Sequence, residues 1–422
     1  MLSTDTPDHH GSHRDLLWSA SDPSTQHGID AIIVPTARRP AALEASADLA
    51  EALQCTLVTL HSKEWTSAAK AAQRLPRSVD LIAVDVPDPA RLRLPNWQTS
   101  RQLAHTVFAP RTDLSAKRNL GLVLSRLLGW SRVLFLDDDI TGLDPSDVRE
   151  ASGLLDTHNA VGLHVSGFPD NSVVCHAYRQ AGGRQQSFIG GGALAVQVER
   201  STSFFPGIYN DDWFFLLDGD KRLQPVAVTG QVTQQPYDPF RPERARAEEF
   251  GDVLAEGIYW LLDQNRSIID ADKAHWGRFL VRRRQFIGHV LDMVRQDQAL
   301  HRDEKARRIT ALQASLGSLD LITPARCENY LRAWTADRQR WHRHLEKLPS
   351  HYIQQRPRDE RRLLALAALS RPGFPRLKWQ IGAQGGPSAI RIPRTRPPRP
   401  GRPRPRPHDQ LTTVGGRRRP GP

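Results

Sequence analysis

Val133-Leu134-Phe135-Leu136 runs without a break into Asp137-Asp138-Asp139. The apolar residues read as a buried strand. Three adjacent carboxylates repel one another and are costly to desolvate, so such a cluster persists where positive charge compensates it. At the carboxyl end of a strand in an α/β sheet, a divalent cation with its anionic ligand supplies that charge. The alternative is a solvated turn in which Asp139 caps a following helix. The neighbouring segments favour the first reading.

Upstream, Ala31-Ile32-Ile33-Val34-Pro35 reads as a buried strand closed by proline, with further strands at 55–60 and 80–85. Residues 41–53 and 67–74, between them, carry apolar positions at helical spacing. Strands alternating with helical segments imply βαβ units and a largely parallel sheet. Residues 117–128 are strongly helical and lead into the aspartate strand. The stretch 144–155 is helical, with Asp144 as N-cap and Pro145 at the first helical position. Strands follow at 160–165, at 188–196 with Gly190-Gly191-Gly192 inside it, and at 225–228. Glycine inside a strand marks the close approach of a ligand or another backbone. From residue 241 onward the spacing is helical, over 248–262, 274–294, 305–316, 325–345 and 358–369. The expected organisation is a disordered N-terminus over 1–27, an α/β domain over 28–240, a helical region over 241–370 and a disordered Arg/Pro-rich tail over 371–422.

A formal charge of +12 invites a nucleic-acid reading. Residues 371–422 hold 13 Lys and Arg against one acid, Asp409, while the other 370 residues hold 45 of each sign. The excess sits wholly in the tail, so no specific nucleic-acid partner is expected, only weak contact of the tail with acidic surfaces. Cys55, Cys175 and Cys327 lie far apart without metal-ligand spacing, which argues against a disulfide framework or a zinc site and fits a reducing cytosol. No apolar run approaches the ~18 residues that span a bilayer, and no signal-peptide segment opens the chain. The sequence predicts a cytoplasmic protein without a transmembrane segment.

Two further segments carry chemistry. Ala116-Lys117-Arg118-Asn119 is a basic helix start ahead of the aspartate strand, and Asn210-Asp211-Asp212-Trp213-Phe214 is a second acidic cluster opening an aromatic segment. Taken in order, the βαβ half, basic helix start, aspartate triplet, glycine-rich strand and aspartate pair resemble the family 2 glycosyltransferases of the GT-A fold, which transfer sugars from nucleotide-diphosphate donors. The resemblance covers residues 30–235. It implies a GT-A, Rossmann-like fold, with a mixed, mostly parallel sheet flanked by helices.

The resemblance makes Asp137-Asp138-Asp139 the DXD element, with Asp139 the ligand of Mn2+ or Mg2+. Asp137 would assist the metal or face the ribose, and Asp138 lies on the donor side without a role of its own. Lys117 and Arg118 would meet diphosphate oxygens while Asn119 hydrogen-bonds nearby backbone. Pro35, Thr36 and Arg38 would border the base and a phosphate. Asp212 takes the place of the catalytic base, with Asp211 its partner, which implies inversion at the anomeric carbon. Gly190, Gly191 and Gly192 would let donor or acceptor approach the sheet, and Trp213 would wall the sugar pocket. The implied donor is UDP- or GDP-linked and the acceptor is unknown.

Departures from that pattern matter. The second strand ends His61-Ser62-Lys63-Glu64, so the carboxylate that the resemblance would place there to read the base is missing. Asp85, after the third strand, is the candidate replacement. No histidine lies between His176 and His275 to complete a metal shell. Tyr237-Asp238-Pro239-Phe240 reads as a turn. Two other functions compete: a nucleotidyltransferase, disfavoured because residues 35–40 contain no glycine, and a non-catalytic module that binds a nucleotide or partner.

Overall fold

The computed structural model describes residues 13–17, 26–167, 172–185, 189–218 and 222–382. The expected tail from residue 383 onward, most of the N-terminal segment, and Phe188 lie outside the described residues; the strand expected over 188–196 starts only at Ala193, so the three glycines precede it. Elements follow in the order β1 (Ala31–Thr36), α1 (Glu44–Leu53), β2 (Thr56–His61), α2 (Ala68–Arg74), β3 (Leu81–Asp85), α3 (Gln98–Leu103) and α4 (Leu114–Leu128). Next come β4 (Arg132–Leu136), β5 (Ile140–Thr141), α5 (Pro145–Leu154), β6 (Ala160–Gly167), α6 (Val173–Gln180), β7 (Ala193–Gln197), α7 (Asp211–Leu216) and β8 (Val226–Gln234). Helices α8 (Pro242–Asp263), α9 (Lys273–Gln296), α10 (Arg302–Leu319), α11 (Pro324–Glu346), α12 (Ser350–Gln354) and α13 (Arg358–Ala368) precede a last strand, β9 (Lys378–Ile381).

The strands form one mixed sheet in the order β5-β8-β6-β7-β4-β1-β2-β3-β9. Strands β1 to β4, β6 and β8 run in one direction, and β5, β7 and β9 run against them. Because successive side chains of a strand face opposite ways, each central strand fills two cores. Ile33, Val58 and Phe135 pack under α4 and the C-terminal helices, whereas Ile32, Val34, Leu134 and Leu136 pack against α1, α2 and α5. The helix starts follow local chemistry. Asp144 accepts from the Ser146 amide ahead of Pro145, as expected for an N-cap, and Ser67 accepts from the Lys70 amide to open α2.

Helices α8 to α13 share the core on one face of the sheet. Asp337 of α11 is fully buried and accepts from the Gln98 and Thr99 amides at 2.8 and 2.9 Å, capping α3 across a long sequence gap. Hydrogen bonds to a charged group contribute about 1.5–3 kcal/mol each, so this one carboxylate is a strong tie. Strand β9, four residues inside the stretch read as tail, pairs antiparallel with β3. No helix among the described residues is long and apolar enough to cross a membrane.

The topology sets up the site. The carboxyl ends of β1, β2, β3 and β4 lie along one edge, and antiparallel β7 brings Gly192 beside the end of β4, where the Asp137 amide donates to its carbonyl at 2.8 Å. Ligands of open α/β sheets bind outside the carboxyl ends of the strands.

Candidate active site

Asp137 follows β4 directly, and the turn after it is closed by the Ile140 amide donating to the Asp137 carbonyl. Its carboxylate is met by Arg118 of α4, whose Nη2 lies 3.1 Å from both oxygens. Nη1 of the same guanidinium donates to Asp211 Oδ1 at 2.7 Å. Arg118 is buried, and its plane lies over Phe205. Burial works against its charge, but Asp137, Asp211 and Asp212 outweigh that and hold it ionised. Gly191 lies beneath it: a Cβ there would stand 2.7 Å from Nη1, so any side chain at this position would push the guanidinium aside.

Asn210 precedes α7 at φ +60°, the left-handed region that asparagine tolerates, and its amide nitrogen donates to Asp252 Oδ1 of α8 at 3.0 Å. This turn aims both following aspartates inward. Asp212 Oδ2 accepts from the Gly191 amide at 2.6 Å and Oδ1 from the Trp213 amide at 3.0 Å. Burial and the adjacent Asp211 push the Asp212 carboxyl up to about 6, with Arg118 and the two amides opposing. Burial raises Asp211 as well. It also raises Asp137, to about 7, with Arg118 opposing and Asp139 and Asp138 adding to the rise.

Asp137, Arg118, Gly190, Gly191, Gly192, Asp211, Asp212 and Trp213 line one cavity of about 270 Å³. Asp137, alone of its triplet, therefore shares one space with the Asp211-Asp212 pair. Sequence reasoning missed the far wall: Cys175 of α6 and Glu248, Asp252 and Glu256 of α8. Arg283 of α9, fully buried, holds that wall, with Nη1 on Glu256 at 2.8 Å, Nη2 on Asp252 at 2.5 Å and Nε on Glu249 at 2.9 Å. Burial pushes Glu256 up to about 8 and Glu249 up to about 7 despite that arginine. Cys175, Asp252 and Glu256 offer ligand atoms within 4.8 Å of one another. Arg283 supplies one positive charge to this group, and burial favours the neutral form of Glu256, so the wall is compensated without a cation. His13 also went unnoticed in the sequence; it is buried edge-on to Trp213, with ring centroids 5.5 Å apart.

The other two aspartates of the triplet face the end of β1. Asp138 Oδ2 accepts from Thr36 Oγ1 at 2.6 Å and from the Ala37 and Arg38 amides at 3.3 Å. Arg38, half-exposed, reaches Asp138 and Asp139 at 3.1 Å each and Gln235 Oε1 at 3.2 Å. Asp139 also accepts from Gln234 at 3.4 Å. Pro35 and Thr36 are buried at the end of β1.

Three sequence-identified donor residues sit elsewhere. Lys117 is buried and donates to the Thr36 carbonyl at 2.9 Å and Ser62 Oγ at 2.7 Å, pairing with Asp113 at 3.0 Å. Its ammonium braces the β1 and β2 ends. Asn119 clamps Phe205 by donating to its carbonyl and accepting from its amide, at 2.7 and 2.9 Å. Asp85 accepts from the Ala68 amide at 2.7 Å at the start of α2. None of the three lines the cavity.

No family model matches the sequence, and no curated protein matches it. Among solved structures, 21 chains match. One is a mannosyltransferase from Pyrobaculum calidifontis in complex with GDP-Man and Mn2+, 13% identical, with a TM-score of 0.39 over 77% of this chain and 89% of that one. At that overlap the likeness adds nothing to the argument from the site's own geometry.

Proposed function

We propose that this chain is a metal-dependent glycosyltransferase, family 2-like and of the GT-A type, moving a sugar from a nucleoside-diphosphate donor to an acceptor hydroxyl with inversion. One observation carries the reading: Asp137, after β4, and Asp212, at the start of α7, line the same cavity. Asp212 is the base. Its two oxygens are fixed by backbone amides, and a carboxylate raised toward neutrality is a better proton acceptor than an ordinary aspartate. Asp211 and Arg118 position it.

The cation would sit at Asp139, with Asp137 beside it. The end of β4 already draws a guanidinium, since Arg38 meets Asp138 and Asp139, and the donor set is all oxygen, as Mn2+ or Mg2+ requires. Bound there, the metal would neutralise charge on the leaving nucleoside diphosphate. The residues around it hold the donor: Arg38 turns to the phosphates, and Pro35 and Thr36 border the nucleoside. The test is donor hydrolysis and transfer with Mn2+ across a panel of nucleotide sugars, comparing the native chain with Asp139→Ala and Asp212→Asn. Equal activity in all three would sink the assignment.

The Arg38 contacts also favour a second reading, a module that binds nucleotide without turnover. Calorimetry with UDP and GDP separates the two, because such a module would bind equally with and without Mn2+.

A further inference from the structure

Trp65 lies in the loop after β2, and its side chain is more than half exposed, at 54%. Single exposed aromatics are ordinary on surfaces. This one is tethered. Its indole Nε1 donates to the Ala37 carbonyl at 2.7 Å. The Ala37 amide donates in turn to Asp138, and the next residue is Arg38. A large flat ring is therefore held beside the donor end of the site, along the edge where the ends of β1 and β2 meet.

Three polar groups along that edge are already engaged. His61 is buried, with Nδ1 on Thr66 Oγ1 at 2.7 Å and Nε2 on Thr59 Oγ1 at 2.8 Å. Ser62 accepts from Lys117, and Asp85 accepts from the Ala68 amide. The exposed carboxylate of this loop is Glu64. Every nucleobase presents a π-face, so stacking on an aromatic ring binds without choosing among bases.

Resting on the glycosyltransferase reading, we propose that Trp65 is the stacking platform for the donor nucleobase. Stacking takes the place of the missing base-reading carboxylate, so the site accepts nucleoside diphosphates with little preference among bases. Calorimetry with the full chain and Mn2+, using UDP, GDP, ADP and inorganic pyrophosphate, tests this. The native chain should bind the three nucleotides within about ten-fold of one another. Trp65→Ala should weaken each by about ten-fold or more, the range of one base stack. Pyrophosphate binding should not change, and Trp65→Phe should restore nucleotide affinity. Nucleotide affinities unchanged in Trp65→Ala would overturn the stacking role while leaving the glycosyltransferase reading intact. A preference for one base beyond about a hundred-fold would also overturn it, pointing to hydrogen-bond readout through a group such as Glu64. Failure of the native chain to bind any of the three would overturn both this inference and the proposed function.

Discussion

Asp137 and Asp211, far apart in sequence, share one guanidinium: Arg118 reaches Asp137 at 3.1 Å and Asp211 at 2.7 Å. A buried arginine between two carboxylates fixes the distance between the elements that carry them. The strand end with the aspartate triplet and the short helix with Asp212 therefore form one unit, and disturbing Arg118 should disturb both.

Gly191→Ala tests that coupling. The added Cβ would meet the Arg118 guanidinium at 2.7 to 2.9 Å, and the same residue's amide holds Asp212. Displacement of a positioned group by about 1 Å can cost about a hundred-fold in rate. We expect turnover to fall by that order while the thermal midpoint moves only a few degrees. Unchanged turnover would show that the Arg118 position is not needed.

If Asp212 is the base, its raised carboxyl sets the pH dependence. Its base form predominates above about 6, so kcat/KM should climb as pH rises through about 6 and level off above it. A pH-rate profile checks the sign. Asp212→Asn should remove this limb, and an acid limb that persists in that variant would assign it to another group.

On the proposed function, a cation would have to displace Arg38 from Asp138 and Asp139. Exposed pairs of this kind contribute about 0.2–1 kcal/mol. Arg38→Ala should therefore tighten binding of Mn2+ alone by about two- to five-fold and weaken binding of the nucleoside diphosphate, both read by calorimetry. Opposite changes would place Arg38 outside the donor site.

Arg283 anchors the acidic wall of α8. Arg283→Met leaves Glu249, Asp252 and Glu256 buried without their counter-charge, and breaking such a buried group costs about 3–5 kcal/mol. Urea denaturation should show a loss of that size. A loss below about 1 kcal/mol would mean that the three acids are already neutral in the folded chain.

The central strands were legible because their residues are apolar on both faces, as in Val133-Leu134-Phe135-Leu136. The Asp144-Pro145 pair announced its helix through cap chemistry alone. β9 was hidden because its four residues, Lys378 to Ile381, lie among prolines and arginines and gain their order from pairing with β3 and from Trp379 and Ile381 packing on the core. At the site, both aspartate clusters could be read, because adjacent carboxylates after an apolar run are rare without cause. Lys117 and Asp85 were read as donor contacts, whereas their side chains meet backbone and neighbouring side chains; Asn119 bonds the Phe205 backbone, in keeping with the backbone role read for it. The α8 wall escaped notice because Glu248, Asp252 and Glu256 resemble the charged face of a solvated helix. The available signal was their spacing of four, which places Glu248, Asp252 and Glu256 on one stripe of α8.

The most direct test of the account measures donor binding and turnover in the same Asp212→Asn protein. If Asp212 is the base, Mn2+-dependent binding of the nucleotide sugar should stay within about three-fold of native while turnover falls by about a hundred-fold or more. Native turnover in this variant, with binding intact, would contradict the account at its centre.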